Sequence, residues 1–170
     1  MHRKHQHSQH PATLQEWVPD GRRLVAIDLE NLVGGSYAST DLVRAGVDEV
    51  RALVGMNSHD VWVWACGPTL FKSAMSVLDT RVSVRPGLDG ADELLCEELD
   101  PGVVPGRFTS VVLGSGDGRA FVAPVRHLAA AGVPTDLIGR ARSTSPDLRA
   151  ASRSFTPLSL SRPTNFAVAA

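Results

Sequence analysis

Short runs of consecutive apolar residues alternate along the chain with segments in which apolar residues recur every three or four positions. Such runs are typical of strands buried on both faces, and the periodic segments are typical of helices packed on one face. Because they alternate through short loops, they predict an α/β fold with a parallel sheet covered by helices on both faces. Strands are predicted at 24–27, 61–66, 82–84, 110–113 and 135–138, and helices at about 40–53, 68–78, 91–99 and 120–131.

The same pattern divides the chain into a domain and two flanking segments. Residues 1–21 are rich in His and Gln and lack periodicity, so we predict a flexible His-rich N-terminal segment. The alternating pattern fills residues 22–140, the predicted domain. Residues 141–170 are rich in Ser, Arg and Pro and are predicted to be a basic tail. Basic tails are commonly only solvated, so this one is a weak hint of a polyanionic partner.

Composition narrows the class of protein. The 170 residues are 43% hydrophobic, which is typical of globular proteins, and no apolar run is long enough to span a bilayer. Residues 1–10 are basic without a following apolar stretch, unlike a secretory signal. Cys66 and Cys96 lack metal-ligand spacing and are predicted to be reduced thiols. We therefore predict a cytoplasmic protein with no membrane partner, and the sequence leaves a homodimer open.

Acidic residues stand where the predicted strands end. Asp28 ends the first strand, and Asp117 follows the fourth among glycines. The carboxyl ends of parallel strands share one edge of a sheet, and ligands bind there. Asp92 lies in the first turn of the third helix, where the helix dipole favours negative charge. We expect these three carboxylates to meet at that edge.

Carboxylates brought together repel one another unless a cation neutralises them, and oxygen ligands suit Mg²⁺ or Mn²⁺. Such an ion could activate water and stabilise charge on a phosphodiester. Each acid also has a plain structural alternative. Asp28 could cap the next segment, Asp117 could stabilise a turn, and Asp92 could form a capping pair with Asp89, which reads best as a helix N-cap. Singly these alternatives are favoured, but three acids at one edge favour the metal site.

Three motifs, in this order, resemble the NYN branch of the PIN-like nucleases: VAIDLENL at 25–32, GAD at 90–92 and LGSGDG at 113–118. The resemblance covers roughly residues 22–139. It implies a three-layer PIN-like (Rossmann-like) domain, hydrolysis of RNA with Mg²⁺ or Mn²⁺, and RNA as partner. It implies that Asp28, Asp92 and Asp117 bind the metal and are catalytic. It assigns Asn31 to support the first acid's loop or a substrate phosphate, and Ser115 to shape the last acid's turn.

The chain departs from the family pattern at Arg119, where many relatives carry a further acid. A fourth carboxylate must then come from elsewhere or be missing, and Glu30, Asp89 and Glu98 are weak candidates. Arg119 could itself contact a substrate phosphate. The departure keeps a second hypothesis open: a catalytically impaired PIN-like module that binds RNA or acts as a scaffold. A phosphatase or nucleotide-binding enzyme of Rossmann-like form is disfavoured, because no glycine-rich phosphate loop follows the first strand.

Overall fold

In the computed structural model, residues 21–55 and 57–160 are described, and six strands form one sheet. The strands are β1 (Arg23–Asp28), β2 (Val61–Cys66), β3 (Val82–Val84), β4 (Ser110–Gly114), β5 (Thr135–Arg140) and β6 (Ser154–Leu158). All neighbouring strands are parallel, in the order β3-β2-β1-β4-β5-β6. The chain therefore builds the sheet outward from β1 and then, in the other direction, from β4.

Helices cover both faces of this sheet. They are α1 (Leu29–Val33), α2 (Thr40–Val54), α3 (Pro68–Val77), α4 (Gly90–Glu98), α5 (Gly118–Ala130) and α6 (Pro146–Ala151), with a 3-10 turn at Val104–Gly106. Residues of α1 to α3 belong to the core on one face, and residues of α4 to α6 to the core on the other. The predicted α/β class and three-layer, Rossmann-like architecture are confirmed, and the four predicted helices begin and end within about two residues of α2 to α5.

The central strand β1 shows why its apolar run is continuous. Val25 and Ile27 pack into the core with α1 to α3, whereas Leu24 and Ala26 pack into the core with α4 to α6. Both faces of β1 are buried, so an apolar residue is favoured at every position. The polar residue that follows this run is Asp28, and it stands at the carboxyl edge of the sheet.

The prediction that a tail begins at Ala141 is corrected by the structure. Residues 146–151 form α6, and residues 154–158 add β6 to the edge of the sheet, with Leu148 and Leu158 buried. This strand is hard to predict from the sequence, because an edge strand buries few of its side chains. Its sequence is Ser-Phe-Thr-Pro-Leu, and a proline in a strand is tolerated at a sheet edge. The predicted N-terminal segment, except Gly21, and residues 161–170 of the predicted tail lie outside the described residues.

Across the described part of the chain, none of the helices has both the length and the apolar character needed to cross a membrane.

Candidate active site

A cavity of about 390 Å³ opens at the carboxyl ends of the strands, beside the ends of β1 and β4. The strand order reverses between these two strands, and in open α/β sheets such a reversal leaves a crevice where ligands bind. The cavity is lined by the three acids that the sequence predicts and by two of the weak candidates. These five carboxylates are Asp28, Glu30, Asp89, Asp92 and Asp117, and we call their site the acidic cavity.

Asp28 is the last residue of β1 and the N-cap of α1, and it is 5% exposed. Its Oδ1 accepts a hydrogen bond from the backbone N–H of Asn31 at 3.0 Å, and its Oδ2 accepts one from the hydroxyl of Ser115 at 3.3 Å. The capping alternative therefore holds for Asp28. It does not remove Asp28 from the site, because the residue also lines the acidic cavity.

Burial raises the pKa of Asp28 to about 7. The hydrogen bond from Asn31 lowers this pKa, but the charges of Asp92 and Glu30 raise it further. Two independent effects thus oppose the charged form: removal from water, and neighbouring negative charge. A cation in the cavity would relieve the second effect directly.

Asp92 lies in the first turn of α4 and is half-buried. Its Oδ1 is buried and has no hydrogen-bond partner among the described residues. Burial raises the pKa of Asp92 to about 6, with further increases from Asp117, Asp89 and Glu30 and an opposing effect from Arg119. Asp92 is therefore the acid of the cavity with a buried oxygen that no hydrogen bond among the described residues satisfies.

Asp117 caps α5, as the turn alternative predicts. Its Oδ1 accepts hydrogen bonds from the backbone N–H groups of Arg119 at 2.7 Å and Ala120 at 3.3 Å. The hydroxyl oxygen of Ser115 accepts a hydrogen bond from the Asp117 N–H at 3.3 Å and donates one to Asp28. Ser115, which is fully buried, thus links the acid that ends β1 to the acid that follows Gly116 after β4.

Glu30 joins the site because of where α1 meets α3. A Cβ atom at Gly67 would lie 3.1 Å from Glu30 Oε1, so the carboxylate packs against the glycine that caps α3. Its charge raises the pKa values of Asp28 and Asp92. Glu98, by contrast, is exposed at the far end of α4 and does not line the cavity.

Asp89 and Asn31, the remaining predicted residues of the cavity, differ in their hydrogen bonding. Asp89 is at the N-cap position of α4 but makes no capping hydrogen bond, so the capping pair with Asp92 is not formed. Both of its carboxylate oxygens instead accept from Arg119 Nη2 at 3.1 Å. Asn31 lines the cavity, and its Oδ1 is buried without a partner among the described residues. A Cβ atom at Gly116 would lie 3.0 Å from this oxygen, so a larger residue there would crowd it.

Two polar residues of the cavity were missed by the sequence analysis. Arg140 and Ser143 line its rim, together with Gly34 and Gly35. Arg140 is the last residue of β5, so it stands at the same sheet edge as the acids. A longer predicted strand would have placed Arg140 at this edge, but the predicted strand stops at Ile138 and leaves Arg140 in a loop.

The donors suit a hydrated magnesium or manganese ion. They are carboxylate and amide oxygens, and the buried Asp92 Oδ1 without a partner is one of them. No group of three His, Cys, Asp or Glu side chains within the described ranges is placed to hold one ion together. The three predicted carboxylates therefore line one cavity without forming a group that could hold one ion by themselves.

Comparisons with known proteins add support for the fold. No family model matches the chain, and no curated protein matches it in sequence. The structure is similar to the crystal structure of a protein of unknown function from Vibrio parahaemolyticus RIMD 2210633, with a TM-score of 0.55 and 16% sequence identity. The match covers 81% of this chain and 93% of that chain. At this identity the likeness shows the shared fold alone, and the resemblance to the NYN branch stays a prediction.

Proposed function

We propose that the chain is a cytoplasmic ribonuclease of the NYN type that hydrolyses phosphodiester bonds at the acidic cavity with Mg²⁺ or Mn²⁺. The observation that carries this proposal is the convergence of Asp28, Asp92 and Asp117 on one cavity where the strand order reverses. The raised pKa values of Asp28 and Asp92 add weight, because strongly perturbed acids in a cleft are typical of functional sites. The free thiols of Cys66 and Cys96 suit a reducing compartment.

Each side chain has a role that its contacts support. Asp92 would bind the ion directly through its free Oδ1, and Asp28, held by Ser115 and Asn31, would bind it or a water of its shell. Asp117 is oriented by the first turn of α5 and adds negative charge beside Asp92. When bound, the ion supplies charge compensation for the phosphodiester and an activated water. Glu30 takes the place of the family's further acid as an outer carboxylate.

The test is cleavage of a single-stranded RNA in Mn²⁺ by the wild type, Asp28→Asn, Asp92→Asn and Glu98→Gln. We expect the first two variants to lose activity by on the order of 10²–10³-fold, as when one electrostatic contact to a transition state is removed. Glu98→Gln is the matched control, because Glu98 lies on the same helix as Asp92 but outside the cavity. Equal cleavage by all four proteins, or undiminished cleavage in excess EDTA, contradicts the proposal.

A second candidate is an RNA-binding or scaffold module without turnover. The ion pair between Arg119 and Asp89 favours it, because Arg119 stands where relatives carry an acid and neutralises an acid of the cavity. So does the lack of a three-ligand group among the described residues. This candidate predicts that RNA is retained but not cleaved, and that Mn²⁺ binding measured by calorimetry is the same in the wild type and Asp92→Asn.

A further inference from the structure

A second cavity of about 660 Å³ adjoins the acidic cavity and shares Arg140 and Ser143 with it. It is bounded by residues 140–143, which begin at the last residue of β5, and by residues 158–160, which begin at the last residue of β6. We call it the basic groove. A volume of this size lies in the range of cavities that hold one small organic molecule. It can hold a short stretch of one nucleic-acid strand, but not a double helix.

The charge of the basic groove is opposite to that of the acidic cavity. Arg140 and Arg142 line it, and within the described residues no carboxylate does. Glu49 comes near, but its Oε1 accepts hydrogen bonds from the backbone N–H of Ser159 at 2.5 Å and the Ser159 hydroxyl at 2.7 Å. Because both of these donors are neutral, they do not cancel the charge of Glu49, and the two arginines on this side of the rim face one nearby carboxylate.

Neither arginine of the groove is used in an ion pair within the described part of the chain. Five other arginines there do pair with an acid: Arg23, Arg51, Arg85, Arg119 and Arg153. An arginine paired with a carboxylate stabilises the fold or a surface, whereas one without such a partner keeps its donors for an anion. Six further arginines of the described residues also lack an acid partner, so Arg140 and Arg142 are distinguished by their shared place in the groove and not by being unpaired.

Packing holds Arg140 at the border between the two cavities. Gly34 caps α1 with a φ of 87°, and a Cβ atom there would come 1.9 Å from Arg140 Nη1. The guanidinium group therefore lies in the space that the missing side chain leaves open. Gly34 also lines the acidic cavity, so the Arg140 guanidinium group stands beside that cavity. From there it can reach the phosphate of a strand that extends out of the acidic cavity.

We propose that the basic groove binds the phosphates next to the scissile one on a single-stranded RNA, through Arg140 and Arg142. The inference rests on the proposed function, since it takes the scissile phosphate to lie at the acidic cavity. The neighbouring phosphates of the same strand then need positive charge close by, and the groove supplies it, since two arginines and no acid of the described residues line it beside the acidic cavity. Arg140 contacts the nearer phosphate and Arg142 the farther one.

The test uses the full chain carrying Asp28→Asn, which binds without turnover, and a fluorescent 12-nucleotide RNA at several KCl concentrations. Each phosphate contact with a single strand contributes about 0.7 to the slope of log K against log salt. We expect Arg140→Gln and Arg142→Gln each to lower the slope by about 0.7 and to weaken binding about four- to tenfold at 0.15 M salt. Arg140→Lys should keep the slope, because it keeps the charge.

Arg126→Gln is the matched control, since Arg126 is an exposed arginine of α5 that lines neither cavity. Slopes that are equal in all variants, a duplex RNA that binds more tightly than the single strand, or no measurable binding would overturn the inference. Its failure is separable from that of the proposed function. If the wild type cleaves RNA in Mn²⁺ but its RNA binding does not depend on Arg140 and Arg142, only the role of the groove is contradicted. If RNA binding depends on these arginines but no cleavage occurs, only the ribonuclease activity is contradicted.

Discussion

The buried carboxyl group of Asp28 couples the candidate chemistry to the stability of the fold. An aspartate in an unfolded chain titrates near 3.9, whereas the pKa of Asp28 in the folded chain is raised to about 7, chiefly by burial. Between these two values the folded chain binds more protons than the unfolded chain. Stability therefore falls as the pH rises through this window, and the loss nears completion about one unit above the folded pKa. The charge that metal binding needs is the charge that folding opposes.

Replacing Asp28 by asparagine removes that charge and keeps a residue able to cap α1. In metal-free buffer we expect the stability of Asp28→Asn relative to the wild type to grow by roughly 2–4 kcal/mol between pH 4 and pH 8. Urea denaturation across this range measures the difference. Asp48→Asn, an exposed change on α2, is the control and should show a flat difference. A flat difference for Asp28→Asn as well would mean that the charge at this position is not destabilising.

Site residues differed in how far the sequence could reveal them. Asp28 and Asp117 follow long apolar strands, so their place at the sheet edge could be predicted from local pattern. The position of Glu30 in the cavity could not be predicted in this way. It depends on α1, which is only five residues long and shows no periodicity, and on the packing of α3 against α1. Arg140 was missed for a related reason: the last two residues of β5 are Gly and Arg, which do not extend an apolar run.

At the scale of the elements, β6 is held to the sheet by a polar anchor. Asp136 of β5 is fully buried and accepts hydrogen bonds from Arg153 Nε at 2.9 Å and from the Ser154 hydroxyl at 2.6 Å. Arg153 stands directly before β6, and its side chain is 31% exposed. The anchor lets a strand with few apolar residues keep its register, and it explains why residues beyond 140 belong to the domain.

Arg153→Leu would leave the carboxylate of Asp136 buried without its cation. We expect a loss of about 2–4 kcal/mol in unfolding free energy, somewhat less than for a fully buried pair because Arg153 is partly exposed. Arg51→Leu is the control, since it breaks a pair whose acid, Asp79, is 86% exposed, and it should change stability by less than about 1 kcal/mol. Urea denaturation of both variants decides the matter, and equal losses would show that Asp136 is not effectively buried.

The C-terminus of α1 offers a test of how the fold positions Arg140. Gly34 and Gly132 both have positive φ values, of 87° and 80°, so alanine at either should cost about 1–2 kcal/mol. Only at Gly34 would the new Cβ displace the Arg140 guanidinium, because nothing lies within 4 Å of a Cβ at Gly132. We therefore expect similar stability losses but weaker single-stranded RNA binding for Gly34→Ala alone, measured by fluorescence anisotropy. Unchanged binding in both variants would separate the backbone geometry from RNA contact.

The elements that the sequence predicted well share one physical property. Strands β1 and β4 and helices α2 and α5 bury many side chains, so their apolar pattern is dense and regular. Of those that it missed, α6 and β6 each have a single buried residue, and α1, with five residues, is too short to show a helical period. Their stability comes from contacts with distant parts of the chain, which no local pattern records.

At the scale of the whole molecule, the order of the strands decides where the charges meet. A parallel sheet could be predicted from the alternating pattern, but the order β3-β2-β1-β4-β5-β6 could not, since it is fixed by long-range packing. The reversal between β1 and β4 brings acids from distant positions in the sequence to one cavity, and it leaves β5 and β6 to form the basic groove beside it. The formal net charge of -1 hides this separation completely.

A divalent ion that binds the folded chain alone must stabilise the whole molecule. At a free concentration ten times its dissociation constant, the ion adds about 1.4 kcal/mol, which for a domain of this size raises the melting temperature by about 3–6 °C. We expect this shift with Mn²⁺ at pH 8 in the wild type and in Glu98→Gln, and we expect Asp92→Asn to lose it, because Asp92 carries the carboxylate oxygen without a partner. Differential scanning fluorimetry across an Mn²⁺ titration measures the shift.

The histidines of residues 1–10 could also bind Mn²⁺, so a parallel titration with Mg²⁺ is the control for this prediction. Imidazole suits transition metals, whereas carboxylate oxygens suit Mg²⁺. A shift that appears with both ions and disappears in Asp92→Asn belongs to the acidic cavity. If Asp92→Asn keeps the shift, the ion binds elsewhere on the chain. The carboxylates of the acidic cavity would then have no bound cation to offset their mutual repulsion.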